Sequence, residues 1–194
     1  MTVTDSGFGA YDVRGVYPDQ VNEQLAYRIG RSFPTLFHAE TVAVGHDIRL
    51  SGPALRDALV KGLTEAGCNV VDIGQCGTEM IYFTTAHLGL DGGIMITASH
   101  NPKQYNGMKF VRAESRPISS DTGLKDIAAM AVGGTYPAPA RSAGHVEKKD
   151  ILDEYVKHIL SYVDVSKLKP YKIVVNTGNG AAGPIINAME KFLP

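Results

Sequence analysis

Short apolar runs rich in β-branched residues alternate with helix-like patterns along the first two thirds of the chain. Alternation of this kind is typical of an α/β domain with a largely parallel sheet. The segment "GMKFVR" at 107–112 returns after only a short loop, so it can pair antiparallel to the strand before it. The predicted fold class is therefore α/β, with a three-layer α/β/α first domain around a mixed, mostly parallel sheet. The predicted strands cover 41–47, 69–74 and 92–98, and the predicted helices cover 22–37, 51–67, 78–89 and 121–131.

Three residues are expected to set the ends of the first two helices. Pro34 should kink or end the first helix, because proline lacks an amide hydrogen and its ring crowds the preceding turn. Ser51 is predicted to cap the second helix, and Gly67 is predicted to close it. Each expectation concerns local geometry and can be compared directly with the structure.

A second, shorter unit follows a stretch rich in glycine, proline, alanine and serine at 133–144. That stretch is predicted to be a linker or a long surface loop. After it come a predicted helix at 150–163, a strand "YKIVVN" at 171–176 and a helix at 184–193. One strand does not form a stable sheet, so the chain is expected to be a fragment of a longer protein or a short relative of one. The predicted organisation is a first domain at 1–133, a linker at 134–148 and the incomplete start of a second similar domain at 149–194.

The net charge and the cysteine content limit which classes of partner and which cellular compartment are expected for this chain. Nineteen Lys and Arg against twenty Asp and Glu give a net charge of −1, which argues against a nucleic-acid partner. The chain shows neither a secretory leader nor an apolar run long enough to span a bilayer, so a soluble, cytoplasmic protein without a membrane partner is expected. Cys68 and Cys76 have no metal-ligand spacing and are predicted to be free thiols.

The stretch "GGIMITASHNPKQYNGMKF" carries the candidate chemistry. Ser99 follows a predicted strand, at the edge where open α/β sheets bind ligands. His100 and Asn101 come next, and Lys109 lies on the returning segment. A hydroxyl, an amide, an imidazole and an ammonium together suit phosphoryl transfer. The same residue types are also ordinary turn formers, so residue type alone leaves a purely structural loop open.

The order and spacing of this loop resemble a known family. "TASHNPKQYNGMKF" is similar to the active-site serine loop of the α-D-phosphohexomutases, the phosphoglucomutase and phosphomannomutase family. "YDVRG", "GHDIRLSG" and "YKIVVNTGNGAAG" resemble further motifs of that family, and "RPISSDTGL" resembles its bacterial phosphomannomutase branch. The resemblance extends over nearly all 194 residues.

The resemblance implies an isomerase of carbohydrate metabolism that moves phosphate between O1 and O6 of a hexose. The reaction would pass through a hexose 1,6-bisphosphate, with Ser99 as the phosphoserine. The phosphate on Ser99 would help to bind Mg²⁺, the implied cofactor. The implied substrates are mannose or glucose 1- and 6-phosphates, and the sequence leaves open which hexose is preferred.

The resemblance also implies roles for the residues around the serine. Lys109 would take part in general acid–base catalysis, and Arg14, aided by Tyr11, would contact the phosphoserine region. His100 and Asn101 would shape the loop and hydrogen-bond the phosphate. A separate Asp-x-Arg pair, Asp47 and Arg49, is expected to be structural and to tie two segments together.

Two readings of function remain open. The family's metal-binding loop, an Asp-x-Asp-x-Asp pattern, has no counterpart in this sequence. The chain is therefore expected to be an N-terminal portion of a mutase that is inactive alone, needing further domains or another chain for turnover. The alternative is a non-catalytic module that binds sugar phosphates. "GNGAAG" at 178–183 also fits a dinucleotide-binding pattern, but the resemblance favours a tight turn there.

Overall fold

Seven strands form one mixed sheet in the computed structural model, which describes residues 3–178 and 180–194. The strand order is β1-β5-β4-β2-β3-β7, and β6 pairs with β5. The strands are β1 (Val13–Val16), β2 (Thr41–His46), β3 (Asn69–Gln75), β4 (Gly92–Ile96), β5 (Tyr105–Arg112), β6 (Arg116–Pro117) and β7 (Val146–Lys148). The α-helices are α1 (Glu23–Phe37), α2 (Gly52–Glu65), α3 (Thr78–His87), α4 (Leu124–Gly133), α5 (Leu152–Leu160) and α6 (Gly183–Glu190).

Parallel and antiparallel pairing meet at β4. This strand pairs parallel with β2 on one side and antiparallel with β5 on the other. The loop at 97–104 is too short for the crossover that parallel strands require, so β5 must return alongside β4. The predicted mixed sheet is confirmed. Among the helices that the structure describes, none is long and apolar enough to cross a membrane.

Side chains of β2 alternate between two hydrophobic clusters on opposite faces of the sheet. Val42 and Val44 belong to a cluster with buried residues of α1, α2 and α4, whereas Ala43 belongs to a second cluster with residues of α3. Alternation with a period of two places successive side chains on opposite faces of a strand. Helices therefore cover both faces, which confirms the α/β/α arrangement.

The first helix ends at Phe37 as predicted, although Pro34 does not end it, and the predicted capping of the second helix by the Ser51 side chain is wrong. The first helix continues past Pro34 to Phe37, and the carbonyl of Pro34 accepts the amide hydrogens of His38 and Ala39. Proline is tolerated here because it lies in the last turn, where little helix remains to be disrupted. Ser51 precedes α2 but does not cap it. Its hydroxyl instead accepts a hydrogen bond of 2.8 Å from Nδ2 of Asn106.

The predicted strand at 171–176 is also wrong. These residues form no regular element, and the side chains of Tyr171, Ile173 and Val174 are 71%, 72% and 89% exposed. High β-propensity is not sufficient, because an extended segment without a neighbouring strand leaves its backbone groups unpaired. Met1, Thr2 and Asn179 lie outside the described residues, so the glycine turn predicted at 178–183 is seen only in part.

The segment predicted as a linker makes ordered contacts with the first unit. Its last residues form β7, which pairs parallel with β3. Arg31 donates a hydrogen bond of 2.5 Å to the carbonyl oxygen of Pro137, and its guanidinium lies 4.7 Å from the ring centre of Tyr136. The domain ranges 1–133, 134–148 and 149–194 stay predictions.

Both cysteines are buried free thiols, and we predict that they resist modification in the folded chain. Burial raises the pKa of Cys68 and Cys76 from 9.0 to about 12. At pH 8 that shift lowers the reactive thiolate fraction about a thousandfold. Modification by 5,5′-dithiobis(2-nitrobenzoic acid) should be slow in buffer and rapid in guanidinium chloride. Fast reaction of the folded chain would contradict this prediction.

The same shift gives a pH dependence of stability. The unfolded chain begins to lose its thiol protons near pH 9, whereas the folded chain keeps them until about pH 12. The folded state therefore binds more protons in this window, and the two thiols lower the free energy of unfolding as pH rises from 9 to 12.

Candidate active site

The serine loop at 97–104 joins β4 to β5 and holds Ser99 in an uncommon backbone conformation. Ser99 has φ of 52°, in the left-handed region that favours glycine. The amide of Asn101 donates to the carbonyl of Ala98 at 3.0 Å, which closes the turn. The amide of Ser99 donates to Oγ1 of Thr97 at 2.9 Å. A strained turn with an exposed hydroxyl at its tip is consistent with a functional loop.

Arg49 holds the serine loop through four backbone carbonyls. Its Nη1 donates to the carbonyl oxygens of Pro102 and Tyr105, both at 2.8 Å. Its Nη2 donates to those of Ser99 at 2.8 Å and Asn101 at 2.7 Å. The planar guanidinium presents its donors in a fixed fork, so one side chain fixes both arms of the loop at once.

Asp47 holds Arg49 in place through both of its carboxylate oxygens. Its Oδ1 accepts the backbone amide of Arg49 at 3.0 Å, and its Oδ2 lies 3.3 Å from Nε of Arg49. The same Oδ2 accepts the hydroxyl of Thr97 at 2.6 Å. The Asp-x-Arg pair therefore ties the segment after β2 to the serine loop, as the sequence predicted.

Arg14 of β1 contacts the serine loop, and Lys109 of β5 is linked to Arg14 through Asp12. Arg14 donates from Nη1 to Oδ1 of Asn101 at 2.6 Å and from Nε to Oδ2 of Asp12 at 2.9 Å. Nζ of Lys109 lies 3.1 Å from the same Asp12 oxygen. Asp12 therefore joins the two predicted cations, a role that the motif comparison did not assign to it.

Strand register explains this meeting. Val13 pairs with Met108, which places the preceding residue, Asp12, beside Lys109 on the adjacent strand. The strands approach so closely that a Cβ on Gly107 would lie 1.9 Å from the carbonyl oxygen of Val13. Only glycine fits there, which gives a physical reason for the glycine of the "NGMK" stretch.

The other predicted site residues are less engaged. Nδ1 of His100 lies 3.4 Å from Oγ of Ser99, and both side chains are exposed. Tyr11 is 74% exposed and makes no side-chain hydrogen bond within the described part of the chain. The structure thus brings Ser99 and its neighbour His100 together with the residues that contact the loop and leaves Tyr11 outside this network. Arg14 contacts the loop at Asn101, and Arg49 contacts its backbone carbonyls. Lys109 joins this network through Asp12.

A cleft of about 1060 Å³ lies on the exposed side of the serine loop. Its walls include Ser99, His100 and Lys103, the segment at 47–51, and residues 180–182 near the start of α6. A volume of this size is ample for a sugar phosphate. Arg14 and Lys109 are not among the wall residues; Arg14 contacts the loop through Asn101, and Lys109 pairs with Asp12.

The described residues do not fit a metal site. Within 3–178 and 180–194, no three His, Cys, Asp or Glu side chains converge to hold an ion. The two carboxylates nearest the loop, Asp12 and Asp47, are already paired with cations. Mg²⁺ usually requires several oxygen ligands in octahedral geometry. The implied Mg²⁺ therefore stays a prediction, and no chemical step below depends on it.

The chain is similar to known proteins over nearly its whole length. Residues 5–134 match the family model described as phosphoglucomutase/phosphomannomutase, alpha/beta/alpha domain I. The chain is 51% identical over 187 residues to a phosphomannomutase of Salmonella montevideo, covering 96% of this chain and 41% of that protein. It is 50% identical over 192 residues to a protein of Xanthomonas campestris named phosphohexose mutases, covering 99% and 43%.

A solved structure agrees with the sequence matches. The crystal structure of a phosphoglucomutase/phosphomannomutase family protein from Burkholderia thailandensis superposes with a TM-score of 0.88 at 34% identity. The match covers 99% of this chain and 43% of that one. The chain thus spans about two fifths of the length of the relatives that it matches.

Proposed function

The chain belongs to the phosphoglucomutase/phosphomannomutase family, and on that premise we propose that it is the phosphoryl-carrying portion of a phosphohexomutase. Ser99 is the proposed carrier, and hexose 1- and 6-phosphates are the proposed substrates. The observation that carries the proposal is the Ser99 turn, which holds an exposed hydroxyl at φ of 52° under four hydrogen bonds from Arg49.

In the proposed reaction, Oγ of Ser99 attacks a phosphorus atom of a hexose 1,6-bisphosphate. The bond between that phosphorus and the sugar oxygen breaks as the bond to Oγ forms. The hydroxyl proton leaves Ser99, and a proton is delivered to the departing sugar oxygen. The phosphoserine so formed gives its phosphoryl group to the free 6-hydroxyl of a hexose 1-phosphate, which yields the 1,6-bisphosphate. Ser99 then takes the phosphate from O1 of that bisphosphate, which leaves hexose 6-phosphate and completes the isomerisation.

Arg14 and Lys109 supply positive charge in this proposal. Because Arg14 already donates to Asn101, its guanidinium lies beside the loop and suits phosphate oxygens. Lys109 could act as a base only through burial or a cationic neighbour. Nζ of Lys109 is held 3.1 Å from Oδ2 of Asp12, and its part in general acid–base catalysis belongs to the proposal.

A non-catalytic module that binds sugar phosphates is the second candidate. The cleft of about 1060 Å³ beside the serine loop supports it, because a cleft of this size can hold a sugar phosphate without any covalent step. Such a module would bind hexose phosphate without ever forming a covalent phosphoserine.

A coupled mutase assay on the full chain tests the proposed function. The assay contains Mg²⁺, mannose 1-phosphate or glucose 1-phosphate, and a catalytic amount of the hexose bisphosphate. We expect covalent phosphate on the protein, carried by Ser99, and no turnover of the sugar phosphate by the chain alone. Binding of hexose phosphate with neither turnover nor covalent phosphate would favour the non-catalytic module.

A further inference from the structure

One carboxylate oxygen serves both cations that approach the serine loop. Oδ2 of Asp12 accepts Nε of Arg14 at 2.9 Å and lies 3.1 Å from Nζ of Lys109. The side chain of Asp12 is only 16% exposed, and those of Arg14 and Lys109 are 26% and 27% exposed. Within the described residues, no other acidic side chain forms an ion pair with either cation.

The remaining charged groups around Ser99 are committed elsewhere or exposed. The Nη atoms of Arg49 donate to backbone carbonyls, and the charge of Arg49 is paired with that of Asp47. His100 and Lys103 are exposed residues of the serine loop itself, and Glu79 is an exposed residue on the wall of the cleft. Arg14, which donates to Asn101 of the serine loop, therefore belongs to a partly buried group of one carboxylate and two cations whose charges sum to +1.

We infer that Asp12 is a positioning residue that sets how strongly the protein holds a phosphate on Ser99. The inference rests on the proposed function, in which Ser99 carries the phosphoryl group. A phosphoserine bears about −1.5 to −2 charges near neutrality. Asp12, Arg14 and Lys109, with a net charge of +1, stabilise that phosphate but neutralise only part of its negative charge. The phosphoryl group therefore stays available for transfer.

Removing the carboxylate charge should have two consequences. The local charge rises from +1 to +2, so the phosphoserine is stabilised more strongly in its resting state. Stronger binding of the ground state slows transfer unless the transition state gains equally. Asp12 also fixes Nε of Arg14, which leaves the Nη1 end to contact Asn101. Substitution with the isosteric asparagine removes the charge while disturbing the shape least.

The test uses the full chain with phosphoserine incorporated at position 99 during translation. The phosphate is titrated by ³¹P NMR in the parent chain and in the variants Asp12→Asn, Lys109→Met and Asp12→Asn/Lys109→Met. Free phosphoserine has a second pKa of about 6. We expect the pKa of the phosphate to fall below that value in the parent chain and by about a further half unit in Asp12→Asn, since nearby cations favour the dianion.

The double variant separates charge from shape. Lys109→Met brings the local charge to zero and should raise the pKa of the phosphate above that of the parent. Combining it with Asp12→Asn restores +1 and should return the pKa to the parent value. The control is Asp121→Asn, because Asp121 is 84% exposed in its pair with Lys125 and should leave the pKa unchanged.

Two results would overturn the inference: a pKa in Asp12→Asn equal to that of the control, or a double variant that does not return toward the parent. If Asp12 only supported the local structure, the pKa of the phosphate would remain different from the parent value in the double variant. The phosphate is installed by translation, so the titration stands even if the chain never accepts phosphate from a sugar. Conversely, a chain that accepts phosphate normally can still fail this titration, which keeps the two proposals distinguishable.

Discussion

Replacing Ser99 with alanine abolishes phosphate transfer to the chain from a hexose 1,6-bisphosphate, if the proposed function is correct. The substitution removes the only atom of that side chain that can form a bond to phosphorus. We expect the amount of acid-stable phosphate on the protein to fall to background. The measurement is the intact mass of the chain before and after incubation with the bisphosphate.

Two controls separate loss of chemistry from loss of fold. Ser142 is an exposed serine of the 133–144 stretch, and Ser142→Ala should accept phosphate like the parent chain. Ser99→Gly removes the hydroxyl and also relieves the positive φ, so its free energy of unfolding should equal that of the parent or exceed it by up to about 1 kcal/mol. Full phosphate incorporation in Ser99→Ala would show that Ser99 is not the carrier.

Arg49→Lys should be the most damaging conservative substitution among the residues that hold the serine loop. An ammonium is a single point of charge and does not reach the four carbonyls that the guanidinium spans. We expect a loss of about 2 kcal/mol in the free energy of unfolding, since charge-assisted hydrogen bonds are removed and Asp47 loses its partner. Phosphate transfer to Ser99 should slow about 100-fold, because a misplaced nucleophile loses its alignment.

Urea unfolding and the rate of phosphate incorporation measure these two effects on the same samples. Hydrogen exchange at the amides of residues 99–101 and 103–105 reports the loop directly and should accelerate in Arg49→Lys. Arg141→Lys is the matched control, because Arg141 lies exposed in the 133–144 stretch. A normal transfer rate in Arg49→Lys would mean that the hydrogen bonds of Arg49 are not needed to hold Ser99 for reaction.

Sequence patterns predicted those elements whose causes are local. Leu25, Ile29 and Phe33 form an apolar stripe, and all three are buried on α1. The short loop after β4 correctly predicted an antiparallel return. The 171–176 segment failed because a strand depends on a partner that propensity does not reveal. β7 was missed for the same reason, since "VEK" has no apolar pattern and pairs with β3 only through the tertiary fold.

The site residues that belong to a recognisable motif could be predicted from the sequence. A residue whose partner is set by strand pairing could not. Ser99, Arg14 and Lys109 came from motif resemblance, and the structure brings the two cations to the serine loop. Asp12 was missed, although it is part of the "YDVRG" stretch, because its partnership with Lys109 arises from the register of β1 and β5. Pairing those two strands from sequence would have placed Asp12 and Lys109 side by side.

Location of the phosphate by tandem mass spectrometry tests the central proposal most directly. The parent chain is incubated with hexose 1,6-bisphosphate and Mg²⁺, digested, and the peptide containing the serine loop is fragmented. We expect one phosphate per chain, on Oγ of Ser99 and on no other residue. Phosphate on a different side chain, or none on a folded chain that binds the sugar phosphate, would contradict it.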